Sequence, residues 1–124
     1  MIPQVRPSEL AAWLTAIAAH GKPVLLDVRE PAELQAARVS PDGFELITIP
    51  MGSVPARVAE LDPTRPVACL CHHGMRSMRV AAFLAGNGFV QVANVAGGIE
   101  AWSVELIRPL RGISNLPVAE ATCH

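Results

Sequence analysis

The segment PVACLCHHGMRS, residues 66–77, predicts the fold more directly than any other part of the chain. Its first five residues form a short apolar run, which is typical of a parallel strand that is buried on both faces. A polar loop containing Gly74 follows. A helical pattern begins at Ser77, the expected N-cap, and runs to the Gly86-Asn87-Gly88 cluster. A strand, a tight loop and a helix in this order form the repeating unit of α/β proteins.

The same alternation continues on both sides of this segment. Further candidates for buried strands are residues 23–28, 46–49 and 90–95. The spacing of apolar residues predicts a helix that is capped by Ser8 and closed by Gly21, and two shorter helices over residues 30–34 and 53–61. We therefore expect a layered α/β domain with a mostly parallel sheet.

Length and composition limit the possible functions. The 124 residues fit one domain, which we expect over residues 1–104, with a C-terminal tail over residues 105–124. Hydrophobic residues make up 51% of the chain, which excludes a disordered protein. A net charge of −1 argues against nucleic acid or an anionic membrane as a partner held by bulk charge.

The expected compartment is the cytoplasm. No apolar run reaches the roughly 18 residues that a membrane-spanning helix needs, and the first residues lack the pattern of a secretory signal. Three cysteines do not make a disulfide framework. Nine of the ten basic residues are arginine, a bias that indicates a GC-rich bacterial gene.

Cys71 is the candidate nucleophile because it follows a predicted strand, and α/β proteins carry their chemistry at the carboxyl ends of the strands. Backbone N–H groups of the loop and of the helix N-terminus can converge there, and such donors lower a thiol pKa. Gly74 suits a position that needs positive φ, and Arg76 adds a permanent charge. From these residues alone, a buried structural cysteine is an equally open interpretation.

The segment Cys71-His72-His73-Gly74-Met75-Arg76-Ser77 resembles the active-site loop of the rhodanese family, Cys-x-x-Gly-x-Arg-Ser/Thr. Residues 25–34, LLDVREPAEL, resemble the family's Asp-Val-Arg-x-x-x-Glu segment, and residues 94–102, NVAGGIEAW, resemble its Gly-Gly-x-x-x-Trp segment. The three motifs occur in the family's order within residues 5–103. One departure is Arg38, which stands where the family usually carries a histidine.

The resemblance implies sulfurtransferase activity and a rhodanese-like α/β fold of three layers, in which helices flank a central, mostly parallel sheet. Cys71 would take a sulfane sulfur from a donor such as thiosulfate, hold it as a persulfide, and pass it to cyanide, a small thiol or a protein thiol. No metal and no organic cofactor is implied. The expected substrate-binding residues are His72, His73, Gly74, Met75, Arg76 and Ser77. The expected supporting residues are Asp27, Arg29 and Glu33.

Two other functions compete with this one. Phosphatases and arsenate reductases of a related fold carry a Cys-x5-Arg loop, which encloses a whole tetrahedral anion. Only four residues separate Cys71 from Arg76 here, so the space above the sulfur should be smaller. A non-catalytic binding module is the second alternative, but such relatives usually lack the cysteine.

The remaining cysteine pattern favours packing over chemistry. Cys69 and Cys71 are two residues apart, so on a strand their side chains share a face. We expect Cys69 to be a core residue, the alternative being a partner that resolves a persulfide. A Cys-x-Cys pair is too close for a usual zinc knuckle, so no metal site is expected.

The charged residues of the segment 25–34 have structural interpretations too. Asp27 lies near the end of a predicted strand and is expected to tie down a neighbouring loop. Arg29 and Glu33 are four residues apart and are expected to pair at the pocket edge. Arg76 can meet either Glu33 or the substrate, and the sequence does not choose between them.

Overall fold

The computed structural model describes residues 2–39 and 43–103. Five strands form one parallel sheet in the order β1-β5-β4-β2-β3. The strands are β1 (Gln4–Val5), β2 (Val24–Asp27), β3 (Glu45–Thr48), β4 (Val67–Leu70) and β5 (Val92–Val95). The predicted tail, including Cys123, lies outside the described residues.

The helices alternate with the strands. They are α1 (Leu10–Ile17), α2 (Pro31–Ala36), α3 (Val54–Arg57), α4 (Met75–Ala85) and α5 (Gly98–Trp102). Short 3-10 turns cover Pro7–Glu9, Ala18–His20, Met51–Ser53 and Val58–Glu60. None of the helices within residues 2–39 and 43–103 combines the length and the apolar character that crossing a bilayer requires.

The sheet carries one apolar core on each face, so the predicted three-layer α/β architecture is confirmed. Alternate residues of the central strands point to opposite faces. One core joins strand residues such as Leu26 and Cys69 to Val80 of α4. The other joins strand residues such as Leu25 to Trp102 of α5. Cys69 is fully buried, as expected for a core residue.

The edge strands differ most from the sequence expectation. The predicted strand over 46–49 was expected to be buried on both faces, but Leu46 is 37% exposed, and the buried Ile49 follows the strand's end. The reason is position: β3 pairs with β2 alone. The sequence analysis missed β1, because two residues are too few to show a strand period.

Two predicted helix starts were wrong. Helix α4 begins at Met75, two residues before the predicted N-cap Ser77, because Gly74 at φ 105° turns the chain into the helix. Ser77 lies inside the first turn and is fully buried. Ser8 lies within the Pro7–Glu9 turn, and α1 begins only at Leu10.

Candidate active site

Cys71 occupies the carboxyl end of a central strand. It follows the last residue of β4, which pairs with β2 on one side and β5 on the other. The residue is only 1% exposed. Its sulfur therefore lies in a protein environment rather than in bulk water, and the groups that contact it determine its charge.

Four donors surround the Cys71 sulfur, and we call them the thiol cradle. The Gly74 N–H donates to Sγ at 3.0 Å, and the Ser77 hydroxyl lies 3.3 Å from it. The backbone N–H groups of His73 and Ser77 complete the set. All four donors belong to residues 73–77, so the turn at Gly74 and the first turn of α4 build the cradle together.

The thiol cradle lowers the pKa of Cys71. Burial is the largest single effect and raises the pKa, because it disfavours the thiolate. Hydrogen bonds from the Ser77 hydroxyl and from the N–H groups of Ser77, Gly74 and His73 outweigh burial, and the net shift is downward. At Cys69, burial raises the pKa with no such compensation. Of these two thiols, Cys71 is therefore the one prepared to ionise.

The alkylation of Cys71 should reflect this shift. Only the thiolate reacts, so the rate is lost as pH falls through the thiol pKa. We expect a midpoint below the free-thiol value of about 8.5. The measurement is the pH dependence of the iodoacetamide rate, followed by mass in a Cys123→Ser background. A midpoint at or above that of free cysteine would show that the thiol cradle does not activate Cys71.

Backbone contacts from α5 fix the loop. The N–H of Ile99 donates to the Cys71 carbonyl at 2.8 Å, and the N–H of Glu100 donates to the His72 carbonyl at 3.2 Å. Gly98 makes this approach possible, because a Cβ there would overlap both carbonyl oxygens. The double glycine of the third motif therefore holds the thiol cradle in place.

Asn94 is a site residue that the sequence analysis missed. Its Oδ1 accepts from the Ser77 hydroxyl at 2.5 Å, so Asn94 and Cys71 Sγ share the single hydroxyl proton. Its Nδ2 donates to the Gly74 carbonyl at 3.1 Å and to Gln4 Oε1 at 2.9 Å. One amide thus orients two members of the thiol cradle. The available signal was a single amide within a strand that is otherwise apolar, since a buried polar group needs partners.

Asn94→Ala tests this positioning role. Without the amide, the turn at Gly74 loses the hydrogen bond that anchors its carbonyl, so we expect the Gly74 N–H to move away from Sγ, the pKa of Cys71 to rise and sulfur transfer to fall by about tenfold. The readout is the pH midpoint of Cys71 alkylation beside the urea midpoint. Asn87→Ala is the matched control, because it removes an exposed amide bonded to the Phe83 carbonyl. Lower stability with an unchanged pH midpoint would reduce Asn94 to a packing residue.

Asp27 and Arg29 form a buried ion pair at the carboxyl end of β2. The Arg29 Nη2 lies 2.8 Å from Asp27 Oδ2, and each side chain is 1% exposed. The Nε of Arg29 and its backbone N–H also donate to Asp27. The expected pairing of Arg29 with the Glu33 side chain is wrong. The Glu33 group that Arg29 contacts is the backbone carbonyl, at 3.4 Å. The guanidinium pairs instead with the carboxylate of Asp27, which lies two residues away.

Glu33 pairs with Arg76, which answers the question that the sequence left open. Two parallel hydrogen bonds of 2.7 Å join the guanidinium to the carboxylate. The hydrogen bond from Arg76 is the main reason why the pKa of Glu33 is lowered to about 2, against an opposing effect of burial. Both side chains, the carboxylate and the guanidinium, therefore remain charged throughout the physiological pH range.

The other loop side chains lie at the surface. His72 and His73 face Glu100, with Nε2 to Oε2 distances of 3.9 and 3.4 Å. The possible ligand atoms of these three residues lie within 4.8 Å of one another, so they are the group that could hold a metal ion in the described part of the chain. Met75 is 74% exposed, so its side chain stands free beside the loop.

The parallel sheet and the cysteine surrounded by hydrogen-bond donors define an α/β domain with a candidate thiolate site. Comparison with known families identifies the family: residues 10–105 match the model of the Rhodanese-like domain. The chain belongs to the rhodanese-like domain family, and the fold expected from the three motifs is confirmed.

Similar proteins carry related names. A "Sulfurtransferase" of Allochromatium vinosum is 38% identical over 80 residues, which are 64% of this chain and 71% of that protein. The "Putative sulfurtransferase YtwF" of Bacillus subtilis is 33% identical over 82% of this chain and 94% of its own length. The crystal structure of a rhodanese-like domain protein from Staphylococcus aureus is 26% identical, with a TM-score of 0.64, and the match covers 82% of this chain and 91% of that one.

Proposed function

We propose that this protein is a sulfurtransferase that carries a sulfane sulfur on Cys71 as a persulfide. The donor is a sulfane-sulfur compound, of which thiosulfate is the simplest, and the acceptor is cyanide, a small thiol or a protein thiol. The observation that carries the proposal is the thiol cradle, in which donors from residues 73–77 surround a nearly buried sulfur. The names of the relatives support the same class of reaction.

The proposed reaction has two displacement steps. In the first, the Cys71 thiolate attacks the outer sulfur of the donor, a new S–S bond forms, and the rest of the donor leaves with the bonding electron pair. In the second, the acceptor attacks the terminal sulfur and Cys71 leaves as a thiolate. No net oxidant is consumed. The thiol cradle favours both steps, because its N–H groups stabilise negative charge on Cys71 and on the terminal sulfur.

The geometry favours sulfur transfer over phosphate-ester hydrolysis. Only four residues separate Cys71 from Arg76, so the loop should enclose a smaller space above the sulfur than a five-residue phosphatase loop, and that space suits one added atom better than a tetrahedral group. Arg76 is engaged by Glu33, whereas a phosphatase would need it for the substrate. The presence of Cys71 weighs against a purely non-catalytic module.

Intact-mass analysis tests the proposal. After incubation with a sulfane-sulfur donor and removal of excess reagent, we expect a mass increase of one sulfur atom, and peptide mapping should place it on Cys71. Cyanide should remove that mass and yield thiocyanate. The unmodified protein should hydrolyse an aryl phosphate negligibly. Absence of the added sulfur with every donor, or phosphatase turnover that depends on Cys71, would overturn the proposal.

A further inference from the structure

Arg76 and the two histidines of the Cys71–Ser77 loop each lie beside a carboxylate. Arg76 meets Glu33 through two hydrogen bonds of 2.7 Å. Because this guanidinium and carboxylate are both planar forks, the two bonds form in parallel and hold a negative charge directly against the positive one. The only permanently charged side chain of the loop is thus already occupied.

The two histidines of the loop lie beside a second carboxylate. Their Nε2 atoms point to one oxygen of Glu100. The backbone N–H of Glu100 donates to the carbonyl of His72, so the fold places residue 100 next to the loop. Its carboxylate lies beside the imidazoles and repels an approaching anion.

This charge balance disfavours thiosulfate as a donor. Thiosulfate is a dianion, and the Cys71 thiolate that attacks it is also negative, so their approach requires unpaired positive charge near the sulfur. The loop offers none that is free of a carboxylate. It offers instead an exposed apolar side chain, Met75, which can contact the organic part of a donor.

Resting on the proposed function, we propose that Cys71 is loaded preferentially by a persulfide carried on an organic thiol, and that Glu33 and Glu100 set this preference. The Cys71 thiolate attacks the outer sulfur of R–S–SH, the Cys71 S–S bond forms, and the old S–S bond breaks. The carrier leaves as R–S⁻, and the proton remains on the transferred sulfur. With thiosulfate, the corresponding leaving group is the sulfite dianion, which meets the same two carboxylates.

The test compares two donors under single-turnover conditions. The probes are the persulfide of 2-mercaptoethanol, whose carrier is uncharged, and thiosulfate. The rate of sulfur addition to Cys71 is followed by quenched intact mass, and each rate is divided by that of the same donor with free N-acetylcysteine. We expect the normalised rate for the persulfide to exceed that for thiosulfate by at least about tenfold.

Glu33→Gln releases the charge of Arg76. The Gln amide oxygen can still accept from the Glu30 N–H, which Glu33 Oε1 now accepts at 2.9 Å, so the start of α2 is kept. We expect the thiosulfate-to-persulfide rate ratio to rise by at least about tenfold, with the gain falling as salt increases. Glu100→Gln is exposed and should fold normally, and it should raise the ratio in the same direction.

Glu60→Gln is the matched control. It makes the same change in an exposed pair of similar geometry, in which Arg57 donates two hydrogen bonds of 2.9 Å to Glu60. The control should leave the ratio unchanged. Equal normalised rates in the unmodified protein, or a ratio that neither loop variant raises, would overturn this inference alone. Loading by neither donor would contradict the proposed function as well.

Discussion

Cys71→Ser is expected to reduce sulfur transfer by at least about a thousandfold without loss of the fold. The substitution exchanges one atom, so the packing beside Leu70 and Ser77 stays nearly the same. A serine hydroxyl does not ionise in the range where the thiol cradle stabilises a thiolate, and it cannot form a persulfide. Single-turnover transfer from a persulfide donor to cyanide measures the loss, and urea unfolding measures the fold.

The other two cysteines provide the controls. Cys69 is fully buried with a raised thiol pKa, and Cys123 lies outside the described residues. Cys69→Ala and Cys123→Ala should each retain most of the transfer activity. Substantial turnover by Cys71→Ser, or its disappearance in Cys123→Ala, would assign the sulfur carrier to another thiol.

Arg29→Met is expected to lower the free energy of unfolding by about 3–5 kcal/mol. The reason is the carboxylate that remains. Asp27 is fully buried, and after the substitution its only remaining donor of the present set is the backbone N–H of residue 29, at 3.1 Å. Removing one partner of a buried pair leaves an uncompensated charge, which costs far more than the net stabilisation from the intact pair. Urea unfolding at neutral pH measures the change.

Two variants show whether burial is the cause. Arg57→Met breaks the exposed pair with Glu60, and it should leave the urea midpoint close to that of the unmodified protein. Asp27→Leu combined with Arg29→Met removes both buried charges and should recover much of the lost stability. If Arg29→Met shifts the urea midpoint no more than Arg57→Met does, breaking the buried pair costs no more free energy of unfolding than breaking an exposed one, and the prediction is wrong.

The central strands and the layer order could be predicted because their signal is local. Runs such as residues 66–70 are apolar at every position, which is what burial on both faces of a parallel sheet requires. The edge strands could not be predicted in the same way. The exposure of β3 and the pairing of β1 depend on which strands lie beside them, and that information is absent from the local sequence.

The candidate site divides along the same line. The Cys71 loop could be found from its own residues and from the family motif, since the Cys71 sulfur and its hydrogen-bond donors lie within seven consecutive positions. The partner of Arg76 could not, because Glu33 is 43 residues away and only the packed structure brings the two together. Asn94 was missed for a similar reason: its partners Ser77 and Gly74 lie on the neighbouring structural unit.

The pairing of β1 with β5 has a consequence for synthesis on the ribosome. Strand β1 cannot pair until β5 has been made, and β4 lacks its second neighbour until residues 92–95 have emerged. Cys71 is made well before Asn94 and Ile99, the residues whose contacts fix its loop. Because domains fold as units during translation, a nascent chain that stalls before β5 carries an ordinary thiol beside an open sheet edge. The reactive sulfur is therefore acquired only after residues 92–99 have been made.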